Sequence, residues 1–95
     1  MQGWFPPAHK FTGSSIRAQA LHLRSESEEV LDALGEDDLD RVAEETLDAI
    51  HCGETLLIIL GKQGVDVAGV QQRVYRKNKA RGYYARPCAR DGATG

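Results

Sequence analysis

Residues 39–60, which read LDRVAEETLDAIHCGETLLIIL, decide the fold class of this 95-residue chain. Their apolar members recur at spacings of three and four, as on one face of an α-helix: Leu39, Val42, Ala43, Leu47, Ile50, Leu57 and Leu60. The acidic residues 36–38 open the helix, where they complement its dipole, and we expect it to end at Gly61 or Gly64. The apolar run 56–60 predicts a surface buried on two sides, by the core and by a partner subunit.

The same period predicts two further helices. One covers about residues 16–34, with Ser14 or Ser15 as N-cap and Gly35 as the stop. The other begins after the N-cap candidate Asp66 and ends near Lys79. No alternation typical of strands persists anywhere in the chain, so the sequence predicts an all-α fold, a small antiparallel helical bundle completed by oligomerisation.

The predicted domain organisation has three parts. Residues 1–14 form an irregular lead-in, since Pro6-Pro7 resists helix. Residues 15–82 form a single helical domain, and residues 83–95, with Pro87 and two glycines, form a mobile tail.

Composition predicts a cytoplasmic protein without a membrane partner. The hydrophobic fraction of 41% and the charged fraction of 27% are typical of a globular domain. The longest apolar run is too short to span a bilayer, and the N-terminus lacks the pattern of a signal peptide. The two cysteines, Cys52 and Cys88, are isolated, so we interpret them as free cytosolic thiols rather than metal ligands.

Charge is distributed unevenly along the chain. Of the 14 acidic residues, 12 lie between Glu26 and Glu54, where Arg41 is the only Lys or Arg. Seven of the 12 basic residues lie between Arg73 and Arg90. This asymmetry indicates ion pairing within the fold, self-association, or an anionic ligand that touches both regions.

Two carboxylate pairs lie at helical spacing on the first two predicted helices: Glu26 with Glu29, and Glu45 with Asp48. Residues three apart project from one face of a helix, and both pairs border an apolar stripe. An antiparallel turn would bring the four carboxylates together, which is electrostatically costly without a cation. Ordinary solvated carboxylates are the alternative, but the double occurrence favours a Mg²⁺ site, with Mn²⁺ as the other candidate.

These motifs resemble a known family. The stretch SESEE at 25–29, followed by ETLD at 45–48, is similar to the ExxE…ExxD signature of the MazG-like all-α nucleoside-triphosphate pyrophosphohydrolases. The family's first motif usually reads EExxE, and here Ser25 stands at its first position. The resemblance implies that the metal ligands are the four motif acids: Glu26, Glu29, Glu45 and Asp48.

The resemblance continues downstream. Residues 74–84, VYRKNKARGYY, resemble the KN…RGY segment that closes many family members. The resemblance implies that Lys77, Asn78 and Arg81 contact the substrate phosphates, and that Tyr83 contacts the base or the ribose.

The implied activity is metal-dependent cleavage of a nucleoside triphosphate to a monophosphate and pyrophosphate, by a homodimer or homotetramer. Mg²⁺ would neutralise the departing pyrophosphate and lower the pKa of a bound water, with Glu29 or Glu45 as general base. Family members usually have a further helix before the ExxE helix, whereas residues 1–14 are short and contain proline. Either a second subunit completes the pocket, or the chain is a reduced and inactive member.

Two other classes compete with this hypothesis. A non-enzymatic helical interaction protein would use the apolar run 56–60 for dimerisation. A nucleic-acid-binding module would use the basic segment 73–90 with its tyrosines. The acidic middle of the chain and its net charge of −2 argue against a nucleic-acid partner.

Overall fold

The computed structural model describes residues 3–87, which contain three helices and no strand. Helix α1 spans Ile16–Gly35, α2 spans Leu39–Lys62 and α3 spans Val67–Ala80. The predicted all-α class is therefore confirmed. Most of the predicted tail, including Cys88, lies outside the described residues.

Each helix begins at a side-chain N-cap. The oxygens of Ser15, Asp38 and Asp66 accept hydrogen bonds from backbone N–H groups three residues later, at 3.0, 3.3 and 3.1 Å. Such caps satisfy amides that have no partner inside the helix. The prediction of Ser15 and Asp66 as caps is confirmed, whereas α2 starts after the acidic run rather than within it.

The helix ends differ slightly from prediction. Gly35 still belongs to α1, Glu36 is its C-cap, and the left-handed conformation falls on Asp37 with φ of 56°. Asp tolerates this region because its short side chain can bond locally. Helix α2 continues past Gly61 to Lys62, and Gly64 adopts a positive φ of 97°.

The chain divides into two compact units, with the boundary between Val65 and Asp66, inside the predicted domain 15–82. In the first unit, α1 and α2 pack against each other across a three-residue connection. Three residues form its buried apolar core: Ala33, Cys52 and Ile59. Of the run 56–60, only Ile59 is buried, and the other four are half-buried.

The N-terminal segment, residues 3–14, packs onto α2 in the first unit. The Glu54 carboxylate accepts hydrogen bonds from the backbone N–H of Trp4 at 2.6 Å and of Phe5 at 3.2 Å. The Phe5 ring stacks on the His51 imidazole with centroids 4.6 Å apart. The segment is irregular, as predicted, and its later part consists of successive turns.

The second unit contains α3 and the turn that follows it. Gly82 occupies this turn with φ of 81°, and the Tyr83 N–H donates to the Asn78 carbonyl at 3.0 Å. The Tyr84 ring stacks on Tyr75 with centroids 5.3 Å apart. The start of the predicted tail therefore packs on α3.

Within residues 3–87, none of the three helices combines the length and the apolar composition that a membrane span requires.

Candidate metal centre and adjoining cleft

Three of the four predicted metal ligands converge in the first unit. Glu26 of α1 and Glu45 and Asp48 of α2 each offer a carboxylate oxygen, and these oxygens lie within 4.8 Å of one another. The i, i+3 spacing on α2 directs two of them to the same face, and the packing of α1 on α2 supplies the third. Glu26 and Glu45 are half-buried and Asp48 is exposed, so the cluster sits at the surface of the helix pair.

The donor set fits a hard divalent cation. Two oxygens on opposite sides of Mg²⁺, each about 2.1 Å away, are about 4 Å apart, and the spacing of the three carboxylates is compatible with this. A set composed only of carboxylates suits Mg²⁺ or Mn²⁺ better than softer metals.

Burial and neighbouring charges both shift the pKa of Glu45. Partial burial raises the pKa of the Glu45 carboxyl above its usual value. The guanidinium of Arg41, one turn earlier on α2, lowers this pKa, but the charges of Asp48, Glu29 and Glu26 raise it further. The net result is a raised pKa for the Glu45 carboxyl.

Arg41 forms an ion pair with a member of the cluster. Its Nη2 lies 3.3 Å from Glu45 Oε2 and 3.9 Å from Glu36 Oε2, while its buried Nε finds no hydrogen-bond partner among residues 3–87. The sequence offered a signal for this contact, because Arg41 and Glu45 are four apart on a helix. Sequence reasoning noted Arg41 only as an exception in the acidic stretch.

Glu29, the fourth predicted ligand, is not one of the three converging residues. It is exposed on α1, three residues after Glu26. Its charge nevertheless contributes to the raised pKa of Glu45, so the two carboxylates are electrostatically coupled. Its assignment as ligand or general base, like that of Glu45 as general base, stays a prediction.

His22 supports the cluster from one turn earlier on α1. Its Nε2 lies 3.2 Å from Glu26 Oε2, and the Phe11 ring meets the imidazole edge-on with centroids 5.3 Å apart. His22 therefore contacts both the Glu26 carboxylate and the Phe11 ring of the N-terminal segment.

The predicted phosphate-binding residues lie in the second unit. Lys77 and Asn78 are on α3, and Arg81 is its C-cap. Tyr83 follows in the turn and is exposed. Their roles in binding substrate stay predictions.

A cleft of about 270 Å³ adjoins the carboxylate cluster in the first unit. Glu26 and Asp48 line its acidic side. Ala8 and Phe11 of the N-terminal segment form another part of its wall. The short lead-in thus takes part in the cleft directly, an arrangement that sequence reasoning did not consider.

The remaining lining residues lie outside the two carboxylate motifs: Gln19, His22, His51, Cys52 and Thr55. The sequence predicts that Cys52 is a free thiol rather than a metal ligand. For Cys52 the structure agrees, because the side chain is 5% exposed and burial raises the pKa of its thiol, which disfavours the reactive thiolate. Gln19 gave only a weak signal, a polar residue beside the apolar stripe of α1.

No protein-family model, curated protein or solved structure matches this chain. The resemblance to the MazG-like family therefore rests on the sequence motifs alone.

Proposed function

We propose that this chain is a metal-dependent nucleotide pyrophosphohydrolase of the MazG-like kind. The observation that carries the proposal is the convergence of Glu26, Glu45 and Asp48 from two helices within 4.8 Å. Exposed acidic residues are common on helices, but these three belong to the ExxE and ExxD motifs and coincide with a raised Glu45 pKa. Perturbed titration in a cluster beside a cleft is typical of functional sites.

In the proposed mechanism, Glu26, Glu45 and Asp48 hold Mg²⁺ or Mn²⁺. The metal would supply charge neutralisation at the phosphates and acidify a bound water. Glu29, whose charge acts on Glu45, is one candidate to take the proton from the attacking water, and Glu45 is the other. His22 orients the Glu26 carboxylate through its 3.2 Å contact.

A separate part of the proposal concerns the residues of the KN…RGY segment, from this chain or from a second subunit. Lys77, Asn78 and Arg81 would bind the outer phosphates, since guanidinium and ammonium groups make strong charge-assisted hydrogen bonds to them, and Tyr83 would contact the base or the ribose. The substrate would be a nucleoside triphosphate in the cytoplasm, converted to a monophosphate and pyrophosphate.

Self-association is a further part of the proposal. Large apolar side chains are exposed near the α1–α2 connection, with Leu31 at 68%, Leu34 at 55% and Leu39 at 78% exposure. Together with the small buried core, this supports a homodimer or homotetramer. The same observation favours a second candidate function, a non-enzymatic interaction protein.

The test removes two cluster carboxylates at once. The double variant Glu45→Ala/Asp48→Ala should lose Mg²⁺-dependent pyrophosphate release from nucleoside triphosphates. The matched control is Asp40→Ala/Glu44→Ala, which removes the same charge from exposed positions on the same helix. Equal activity in the two double variants would contradict the proposal, and absence of Mg²⁺-dependent nucleotide binding by the wild type would favour the interaction protein.

A further inference from the structure

The cleft beside the carboxylates has a second, uncharged side that the proposed chemistry does not use. Its polar groups there are an amide, an imidazole and a hydroxyl, from Gln19, His51 and Thr55, and Phe11 adds an aromatic ring. An aromatic six-membered ring fits a cavity of about 150 Å³. A cleft of about 270 Å³ therefore has room for a planar heterocycle next to the acidic cluster.

Gln19 gives this side of the cleft a fixed hydrogen-bonding character. The side chain is 2% exposed, and its Nε2 donates to the Cys52 carbonyl oxygen at 3.1 Å and contacts Cys52 Sγ at 3.1 Å. A carbonyl oxygen can only accept a hydrogen bond, so the amide nitrogen of Gln19 must face Cys52 and the position of Oε1 is fixed as well. Gln19 Oε1 accepts no hydrogen bond from residues 3–87, which leaves an acceptor for a ligand in the cleft.

His51 supplies a second polar group without a partner. Its Nε2 is buried and makes no hydrogen bond within residues 3–87, although buried polar atoms are normally paired. The ring is held in place by its stacking on Phe5, with an interplanar angle of 23°. Because His51 lines the cleft, its buried and unpaired nitrogen is a recognition group for a polar ligand atom once a small side-chain shift uncovers it.

We propose that this cleft binds the base of the nucleotide and selects bases with an exocyclic amino group, with Gln19 Oε1 accepting from the amine and His51 Nε2 pairing with a second polar atom of the ring. Cytosine and adenine carry such an amine, whereas uracil and hypoxanthine place a carbonyl oxygen at the same position. That oxygen would face the Gln19 acceptor and leave both groups unpaired, so the site discriminates against it. The inference rests on the proposed function, because the carboxylate cluster is taken to hold the phosphates.

The test compares matched ligand pairs that differ at one position. Calorimetry on the full chain with Mg²⁺ would use the α,β-methylene analogues of CTP and UTP, and of ATP and ITP, which resist cleavage at that bond. We expect the amino member of each pair to bind about tenfold tighter, since one buried acceptor is left unpaired with the oxo member. Equal affinities within both pairs would overturn the inference.

Two variants test whether Gln19 and His51 produce the preference for bases with an amino group. Gln19→Met keeps the length and removes the acceptor, so the tenfold preference should disappear while the affinity for Mg²⁺-tripolyphosphate stays unchanged. His51→Phe keeps a ring to stack on Phe5, and should weaken binding of both amino ligands without changing the affinity for tripolyphosphate. Persistence of the preference in a folded Gln19→Met variant would overturn the inference. Circular dichroism shows whether the Gln19→Met variant folds. If it does not, the comparison of amino and oxo analogues with the wild type and the affinities of His51→Phe still test the inference.

Failure of this inference and failure of the proposed function give different results. If tripolyphosphate binds in a Mg²⁺-dependent way but all four nucleotide analogues bind with equal affinity, the inference of a base site is refuted and the proposed metal site is supported. If tripolyphosphate does not bind in the presence of Mg²⁺, while cytidine and adenosine still bind tighter than uridine and inosine, the base site is supported and the proposed pyrophosphohydrolase function is refuted.

Discussion

Replacing Glu54 should release the N-terminal segment from α2 and open one wall of the cleft. The Glu54 carboxylate accepts two backbone N–H groups, from Trp4 at 2.6 Å and from Phe5 at 3.2 Å. Both bonds are at least partly solvated, so we assign about 1 kcal/mol to each, the value typical of a net hydrogen bond. Glu54→Ala should therefore weaken the docking of the segment by about 2 kcal/mol.

Amide hydrogen exchange measures this docking directly. The Phe11 N–H donates to the Ala8 carbonyl at 2.8 Å, and the Ser14 N–H donates to the Phe11 carbonyl at 3.0 Å. A loss of about 2 kcal/mol corresponds to roughly thirtyfold less protection at these two amides. Glu54→Gln keeps one accepting oxygen without the charge, so it should lose about half of the free energy that docks the N-terminal segment onto α2.

The matched control is Glu44→Ala, which removes the same side chain from an exposed position of α2. Substitutions at such positions usually change stability by less than about 0.5 kcal/mol. Protection of Phe11 in Glu54→Ala within about twofold of the control would refute the reasoning, because the carboxylate would then not hold the segment.

Three further predictions follow from contacts in the first unit. A Cβ on Gly3 would lie 2.9 Å from the Glu54 carboxylate. Gly3→Ala should therefore reduce the exchange protection of the Phe11 amide in the wild type and change it little in the Glu54→Ala background. A double-mutant cycle measures this coupling. Glu45→Gln should abolish stabilisation by Mg²⁺ in thermal melts, yet raise stability in metal-free buffer at neutral pH. The sign follows from the raised Glu45 pKa: the folded state holds its proton to higher pH than the unfolded state, so stability falls as pH rises above the ordinary value of 4.5, and the advantage of Gln should vanish below it. Arg41→Gln should tighten Mg²⁺ binding several-fold in calorimetry, because it removes a cation 3.3 Å from Glu45; unchanged or weaker binding would show that Arg41 does not compete with the metal.

Much of the fold was predictable because its determinants are local. The period of the apolar residues and the caps Ser15 and Asp66 predict the helix starts of α1 and α3 within a residue. The end of α1 differs because Gly35 remains helical and Asp37 takes the left-handed conformation instead. Glycine is the usual residue there, but it is not the only one that tolerates a positive φ.

The carboxylate cluster was also accessible to sequence reasoning, whereas the cleft was not. Spacing on α2 places Glu45 and Asp48 on one face, and a short connection predicts that α1 returns beside it. The cleft depends on contacts between distant residues, such as the bond from Gln19 to the Cys52 carbonyl, 33 residues away. The stacking of Phe5 on His51 is of the same kind. No periodicity in the sequence encodes such pairs.

The charge environment of Glu45 supports the proposed metal site. Carboxylates that improve folding are usually paired with cations or N–H donors, which lowers their pKa. At Glu45 the opposite holds, since partial burial and three neighbouring acids outweigh Arg41. The raised pKa of Glu45 means that its ionised form is less favourable in the folded chain than in the unfolded one. A cation bound to the three oxygens would offset this repulsion, which is the physical reason for proposing a metal site here.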